Sequence, residues 1–197
     1  MRRARLSSPL MPADLSRLHR LLAERSARRG RFTLASGRES EFYVDARLTA
    51  MSPDGLALIG PLALAEIGAA GWEPDSVGGL TLGADPISYA LSYASATTRH
   101  PVRAFTVRKE AKAHGTGKLI EGPFRPGDRV VVIEDVITTG GSALKAASAI
   151  RAAGGMILGV LALVDREEGG REALEAAGYG VRALARASDI LPLIPGD

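Results

Sequence analysis

Residues 129–146, RVVVIEDVITTGGSALKA, join four branched apolar residues (Val130, Val131, Val132, Ile133) to two adjacent carboxylates, Glu134 and Asp135. Val136 and Ile137 then lead into Thr138, Thr139, Gly140, Gly141 and Ser142, and a helix-forming run follows. Such a turn offers backbone amides and hydroxyls together. The positive end of the helix that adjoins it completes a cradle for an anion, and phosphate is the fitting one. Carboxylates just ahead of the cradle would repel phosphate, so they must face sugar hydroxyls, a divalent metal, or both. A phosphorylated sugar satisfies both halves. A buried strand ending in a capped helix needs only Ser142 as its cap and leaves the paired acids unexplained. The string has Gly141 where a Walker A loop has lysine, and it lacks the spaced glycines of a dinucleotide fingerprint.

A second group of chemically able residues lies in VRKEAKAHGTGKLIEG, residues 107–122. Arg108, Lys109, Lys112, His114 and Lys118 stand against Glu110 and Glu121, with Gly115 and Gly117 as points of flexibility. Most such runs are solvated surface. This one places its cations in a flexible connection, where they could meet an anionic small molecule. Without cysteine, the chain has no thiolate ligand or nucleophile, and no Ser/His/Asp arrangement is visible. His19 and His100 look incidental. No histidine cluster suggests a metal held by protein side chains alone.

The elements that must position these groups follow from periodicity. Leu15, Leu18, Leu21 and Leu22 predict a helix over 13–27. Residues 32–49 read as extended segments around a Ser36 and Gly37 turn, and 53–70 as a second helix ending before Gly71. Apolar runs at 76–80, 102–107, 129–134, 156–164 and 180–184 then alternate with helical patterns at 85–97, 142–153 and 170–177. The pattern predicts one α/β domain over 1–197, a mostly parallel twisted sheet with helices on both faces. In such sheets ligands bind beyond the carboxyl ends of the strands, where the acid pair and its turn should lie. The connection 108–128 has no helical face, and long irregular segments of this kind are usually functional.

Composition narrows the setting. The chain has 197 residues, 46% of them hydrophobic, and a net charge of +3. That is ample for a core and too balanced for a protein that coats nucleic acid or lipid. No apolar run is long enough to span a bilayer. With no cysteines, nothing argues for an oxidising compartment, and the expected location is cytoplasmic. Residues 1–12 read as a flexible tail, or Met11 as the initiator.

The 129–146 string resembles the phosphoribosyl pyrophosphate (PRPP) motif of the type I phosphoribosyltransferases. The resemblance implies that Glu134 and Asp135 hold the ribose hydroxyls of PRPP while the stretch from Val136 and Ile137 to Ser142 wraps its phosphate. Residues 107–122 resemble the mobile catalytic loop of the orotate phosphoribosyltransferases. FTLASGRESEFYVDAR and LVDREEGG are similar to that family's base-binding segment and to the strand end that meets orotate's carboxylate. The resemblance covers most of 32–170 and implies a fold with a small N-terminal hood. It puts Arg166, Thr138, Tyr43 and Val44 on orotate, and Arg108, Lys109, Lys112 and His114 on PRPP. Lys112, His114, Arg108 and Asp135 become the expected catalytic groups. It further implies magnesium bound mainly through PRPP and a symmetric homodimer whose loop reaches into the partner's site. Residues 81–85 should line the pyrophosphate with backbone amides. Ala35 and GGLTLGADPI stand where some members carry lysines, which leaves more to the loop. A purine phosphoribosyltransferase or a PRPP-sensing regulator would share the PRPP motif. Arg166 and the 32–45 segment oppose the first, and no clustered basic face supports the second.

Overall fold

The computed structural model describes residues 12–33, 39–110 and 118–195. Helix α1 (Pro12–Leu21) buries Leu18 and Leu21, then loosens into a π-type turn over Leu22–Ser26. The chain leaves helical geometry at Ala27, within the predicted helix, because Ala27 already pairs with Val44. Strands β1 (Ala27–Thr33) and β2 (Glu39–Val44) form an antiparallel hairpin with Arg28 opposite Tyr43 and Arg29 opposite Phe42. A one-turn helix α2 (Arg47–Ala50) follows where extended chain was expected. Asp45 starts it by accepting the Arg47 amide at 3.2 Å. Ser52 caps α3 (Pro53–Ala69) through the Gly55 amide, with Pro53 at the first position.

The alternation then appears as read: β3 (Ser76–Leu80), α4 (Ala84–Ser95), β4 (Arg103–Val107), β5 (Ile120–Glu121), β6 (Arg129–Ile137), α5 (Gly141–Ala152), β7 (Met156–Asp165), α6 (Gly170–Ala176) and β8 (Val181–Arg186). A short α7 (Ala187–Ile190), which the sequence reading lacked, follows β8. The six-stranded sheet has the order β5-β4-β3-β6-β7-β8 and is parallel except for β5, which folds back on β4. The irregular connection therefore contains a two-residue edge strand, Ile120–Glu121, at its far end.

Alternation along β6 feeds two cores. Val131 and Ile133 pack with Leu58, Ile59, Ile87 and Leu91 of α3 and α4, beside α1. Val130 and Val132 pack with Ala143, Ala147 and Ile150 of α5. Strand β6 outlasts its predicted end at 134, because Val136 and Ile137 pair with Val164 and Asp165 of β7. The acids thus sit inside the strand's last turns of pleat, not beyond it. Gly140, in the left-handed region at φ 79°, takes the cap position of α5 in place of Ser142.

Candidate active site

At the carboxyl end of β6 opens a cavity of about 520 Å³ lined by Tyr43, Val44, Asp45, Arg47, Arg166 and every residue from 134 to 142. The predicted cradle, acids and base-end residues are therefore neighbours in space. The cradle's shape depends on close backbone approach. A methyl on Gly170 would lie 2.5 Å from the Thr138 carbonyl oxygen and 2.8 Å from the Gly140 nitrogen. Only glycine lets α6 start there and hold the turn from behind.

Glu134 is buried, and its Oε2 has no hydrogen-bond partner. Burial, then the neighbouring Asp135 carboxyl, pushes its pKa well above the ordinary carboxyl value. Asp135 is half-buried and accepts the Val136 amide at 2.9 Å. Its carboxylate lies against Gly83, where any side chain would run into it. The turn 81–85 thus meets the cavity through Asp135. Two of its amides are not available to a ligand: Thr81 donates to Val107 at 2.8 Å and Asp85 to Leu82 at 3.4 Å. The expected amide lining shrinks to residues 82–84. Asp85, buried, accepts the hydroxyls of Thr81 at 2.6 Å and Thr106 at 2.8 Å, which ties this turn to the end of β4.

Arg166 is 4% exposed at the end of β7. Its amide donates to Ile137, and the next residue, Glu167, adopts φ 58° with its amide on Asp165 Oδ1. Buried Asp165 also takes Arg171 at 2.7 Å, which fixes the turn. Nη2 of Arg166 donates to Ser40 Oγ and the Phe42 carbonyl, each at 2.9 Å, and meets Glu168 at 2.8 Å. The guanidinium lies 4.5 Å over the Phe42 ring, while its Nε is buried without a partner. A buried, unsatisfied donor on a planar cation suits a carboxylate.

Among the described residues no three His, Cys, Asp or Glu side chains converge. A divalent cation takes about six oxygen ligands. It would draw most of them from a bound ligand and water, and Glu134 Oε2 with the Asp135 carboxylate are the oxygens this chain could lend.

Arg108 and Lys109 do not line the cavity. Arg108 reaches Glu121 at 3.5 Å across the β4–β5 edge, and Lys109 is exposed. Lys112, His114 and Ala35 lie outside the described residues. The sequence reading placed Ser40, Phe42, Asp45 and Arg47 in the base-binding segment and Glu168 in the strand end after it, but gave none of them a role of its own. Alternation of Ser40, Phe42 and Val44 along β2 was the available signal for the first two.

No protein-family model matches the chain. It is 45% identical over 185 residues to the orotate phosphoribosyltransferase of Aquifex aeolicus, covering 92% of this chain and 100% of that protein. The Mycobacterium tuberculosis orotate phosphoribosyltransferase, solved with Fe(III) dicitrate, superposes with a TM-score of 0.78 at 44% identity, covering 90% of this chain and 98% of that one. The same enzyme solved with PRPP gives 0.74 at 40% identity, with the same coverage. No helix among the described residues is long and apolar enough to cross a membrane.

Proposed function

This chain belongs to the orotate phosphoribosyltransferases, and from that premise we propose that it transfers the phosphoribosyl group of PRPP to orotate in the cytoplasm, giving orotidine 5'-monophosphate and pyrophosphate for pyrimidine synthesis. One observation carries the reading: the same cavity is lined by the hydroxyl- and glycine-rich turn 138–142 and by a buried arginine whose Nε lacks an acceptor. The 5'-phosphate fits the first and orotate's carboxylate the second. Between them Glu134 and Asp135 accept the ribose hydroxyls. Thr138 borders both regions, and Tyr43 with Val44 walls the base.

Bond breaking at the ribose leaves positive charge on the ring and negative charge on the departing pyrophosphate. Asp135, half-buried beside the ring, steadies the first. Arg108 and Lys109, which do not line the cavity of this chain, together with Lys112 and His114 are the donors that the 107–122 segment would bring to the second, and His114 is the group able to give it a proton. Magnesium bound mainly through PRPP would supply further neutralisation of the leaving group, with Glu134 and Asp135 as the residues able to lend it oxygens. No protein nucleophile is needed, because orotate itself attacks.

The test mixes protein, PRPP and magnesium with orotate, uracil, adenine or hypoxanthine and follows pyrophosphate release. Release with orotate alone is expected; release with a purine would overturn the reading. We further propose a homodimer in which the loop of one subunit serves the partner's site. Refolding Lys112→Ala and Asp135→Asn chains together should restore roughly a quarter of wild-type activity, since half the dimers are hybrid and each has one intact site. Hybrids without activity would confine the loop to its own chain.

A further inference from the structure

We propose that Arg47 binds the diphosphate of PRPP, with Asp45 as the carboxylate that holds its guanidinium at the cavity wall. The proposal rests on the reading of this cavity as the PRPP site and deepens it.

The cavity wall, among the described residues, presents three carboxylates, Asp45, Glu134 and Asp135, and two cations, Arg47 and Arg166. Arg166 is committed to Ser40, Phe42 and Glu168 and is buried. Arg47 is different. Its side chain is 47% exposed, and Asp45 grips one edge of the guanidinium, Nε on Oδ1 at 2.8 Å and Nη2 on Oδ2 at 2.9 Å. Nη1 lies outside that fork. An exposed pair of this kind adds little to folding and holds weakly enough for a polyanion to share the cation. What the fork does fix is direction, because two parallel bonds to Asp45 hold one edge of the guanidinium.

Position then decides which part of the substrate it meets. Arg47 feels the charge of Asp135 as well as that of Asp45. Asp135 in turn lies against Gly83 of the 81–85 turn. Arg47 therefore shares the cavity wall with Asp45 and the acid pair. PRPP has two anionic ends. The cradle takes the single 5'-phosphate with amides and hydroxyls, and the hydroxyls between the ends occupy the acids. The diphosphate falls on the side where carboxylates gather, and like-charge repulsion there needs a fixed cation to offset it. An arginine suits that task because its planar donors bridge two phosphate oxygens at once.

The test titrates wild type, Arg47→Ala and Arg47→Lys with three probes in magnesium buffer: PRPP, pyrophosphate and ribose 5-phosphate. In Arg47→Ala, PRPP and pyrophosphate affinity should fall by between about tenfold and about a hundredfold, the scale of a charge-assisted bond. Ribose 5-phosphate affinity and orotate KM should stay at the wild-type value, and Arg47→Lys should recover part of the loss. Equal loss for ribose 5-phosphate would make Arg47 a general support of the wall, and no loss for pyrophosphate would remove it from the site; either overturns the proposal. Failure of the underlying reading looks different: wild type itself would release no pyrophosphate with orotate.

Discussion

Strand β6 has acidic residues near both ends, and the two ends treat them in opposite ways. Asp128, just before the strand, is buried with its valences filled: it accepts Ser76 Oγ at 2.9 Å, the Arg125 amide at 3.0 Å and Arg103 Nη2 at 2.6 Å. Glu134, close to the other end, is equally buried but has an oxygen without a partner and a second carboxyl beside it. A protein whose acids served only the fold would finish both ends alike. An unfinished end costs stability, and such a cost persists where a ligand supplies the missing partners.

The contrast breaks first at Asp128. Asp128→Ala removes three bonds and leaves Arg103, 28% exposed, without its counterion. We expect a loss of about 3 kcal/mol in unfolding free energy, as for other broken buried pairs. Because the damage lies at the far end of the strand, PRPP and orotate affinity of the folded fraction should not change. Chemical denaturation with parallel ligand titration checks both. A selective loss of PRPP binding would show that the two ends are not independent.

The next break is at Arg166, on the cavity wall. Arg166→Ala should weaken orotate by about 2 kcal/mol or more while leaving PRPP binding in place. Calorimetry with each ligand separates the two. Equal loss for both would assign Arg166 to the wall and not to orotate.

Glu134→Gln sharpens the comparison through pH. Glu134's folded pKa lies above its ordinary value of 4.5, so the folded state retains a proton that the unfolded state has lost. Stability from this group is whole below the ordinary value and is lost as pH rises through the folded one. Glutamine does not ionise. The variant should melt higher than wild type at pH 8, and the gap should close toward pH 4, while ribose-dependent binding weakens. A gap that widens toward acid would mean that Glu134 is a stabilising, charged partner after all.

What the sequence made legible divides along the same lines. The acid pair and the turn after it are one continuous string, so residue types and spacing mark them as a candidate site without knowledge of the fold. The branched run at 130–133 announced a strand buried on both faces, and its neighbours packed as the alternation required. Its end was misread by three residues, because the partner β7, and not local propensity, decides how far β6 extends. The base end was harder. Arg166 meets Ser40 and Phe42 across more than a hundred residues of chain, and only the hairpin's register brings them together. Nothing local marks Arg47 as a cavity residue, since its place depends on a one-turn helix that Asp45 starts.

The smallest predicted effect tests a residue that the sequence reading gave two roles. Ser142 reads as a helix cap, yet the cap position belongs to Gly140 at φ 79° and no side chain caps α5. Ser142 is exposed on the cavity wall instead. If capping were its work, Ser142→Ala would cost about 1 kcal/mol of stability. With no capping bond to lose, the substitution should keep unfolding free energy within about 0.5 kcal/mol of wild type, as at other surface positions. PRPP affinity should fall by the worth of one hydroxyl donor among several, about 1 kcal/mol. Denaturant midpoints and PRPP titrations on the same preparation decide between the two. A variant that loses stability and keeps its PRPP affinity would return Ser142 to the helix and reduce the cradle to its backbone.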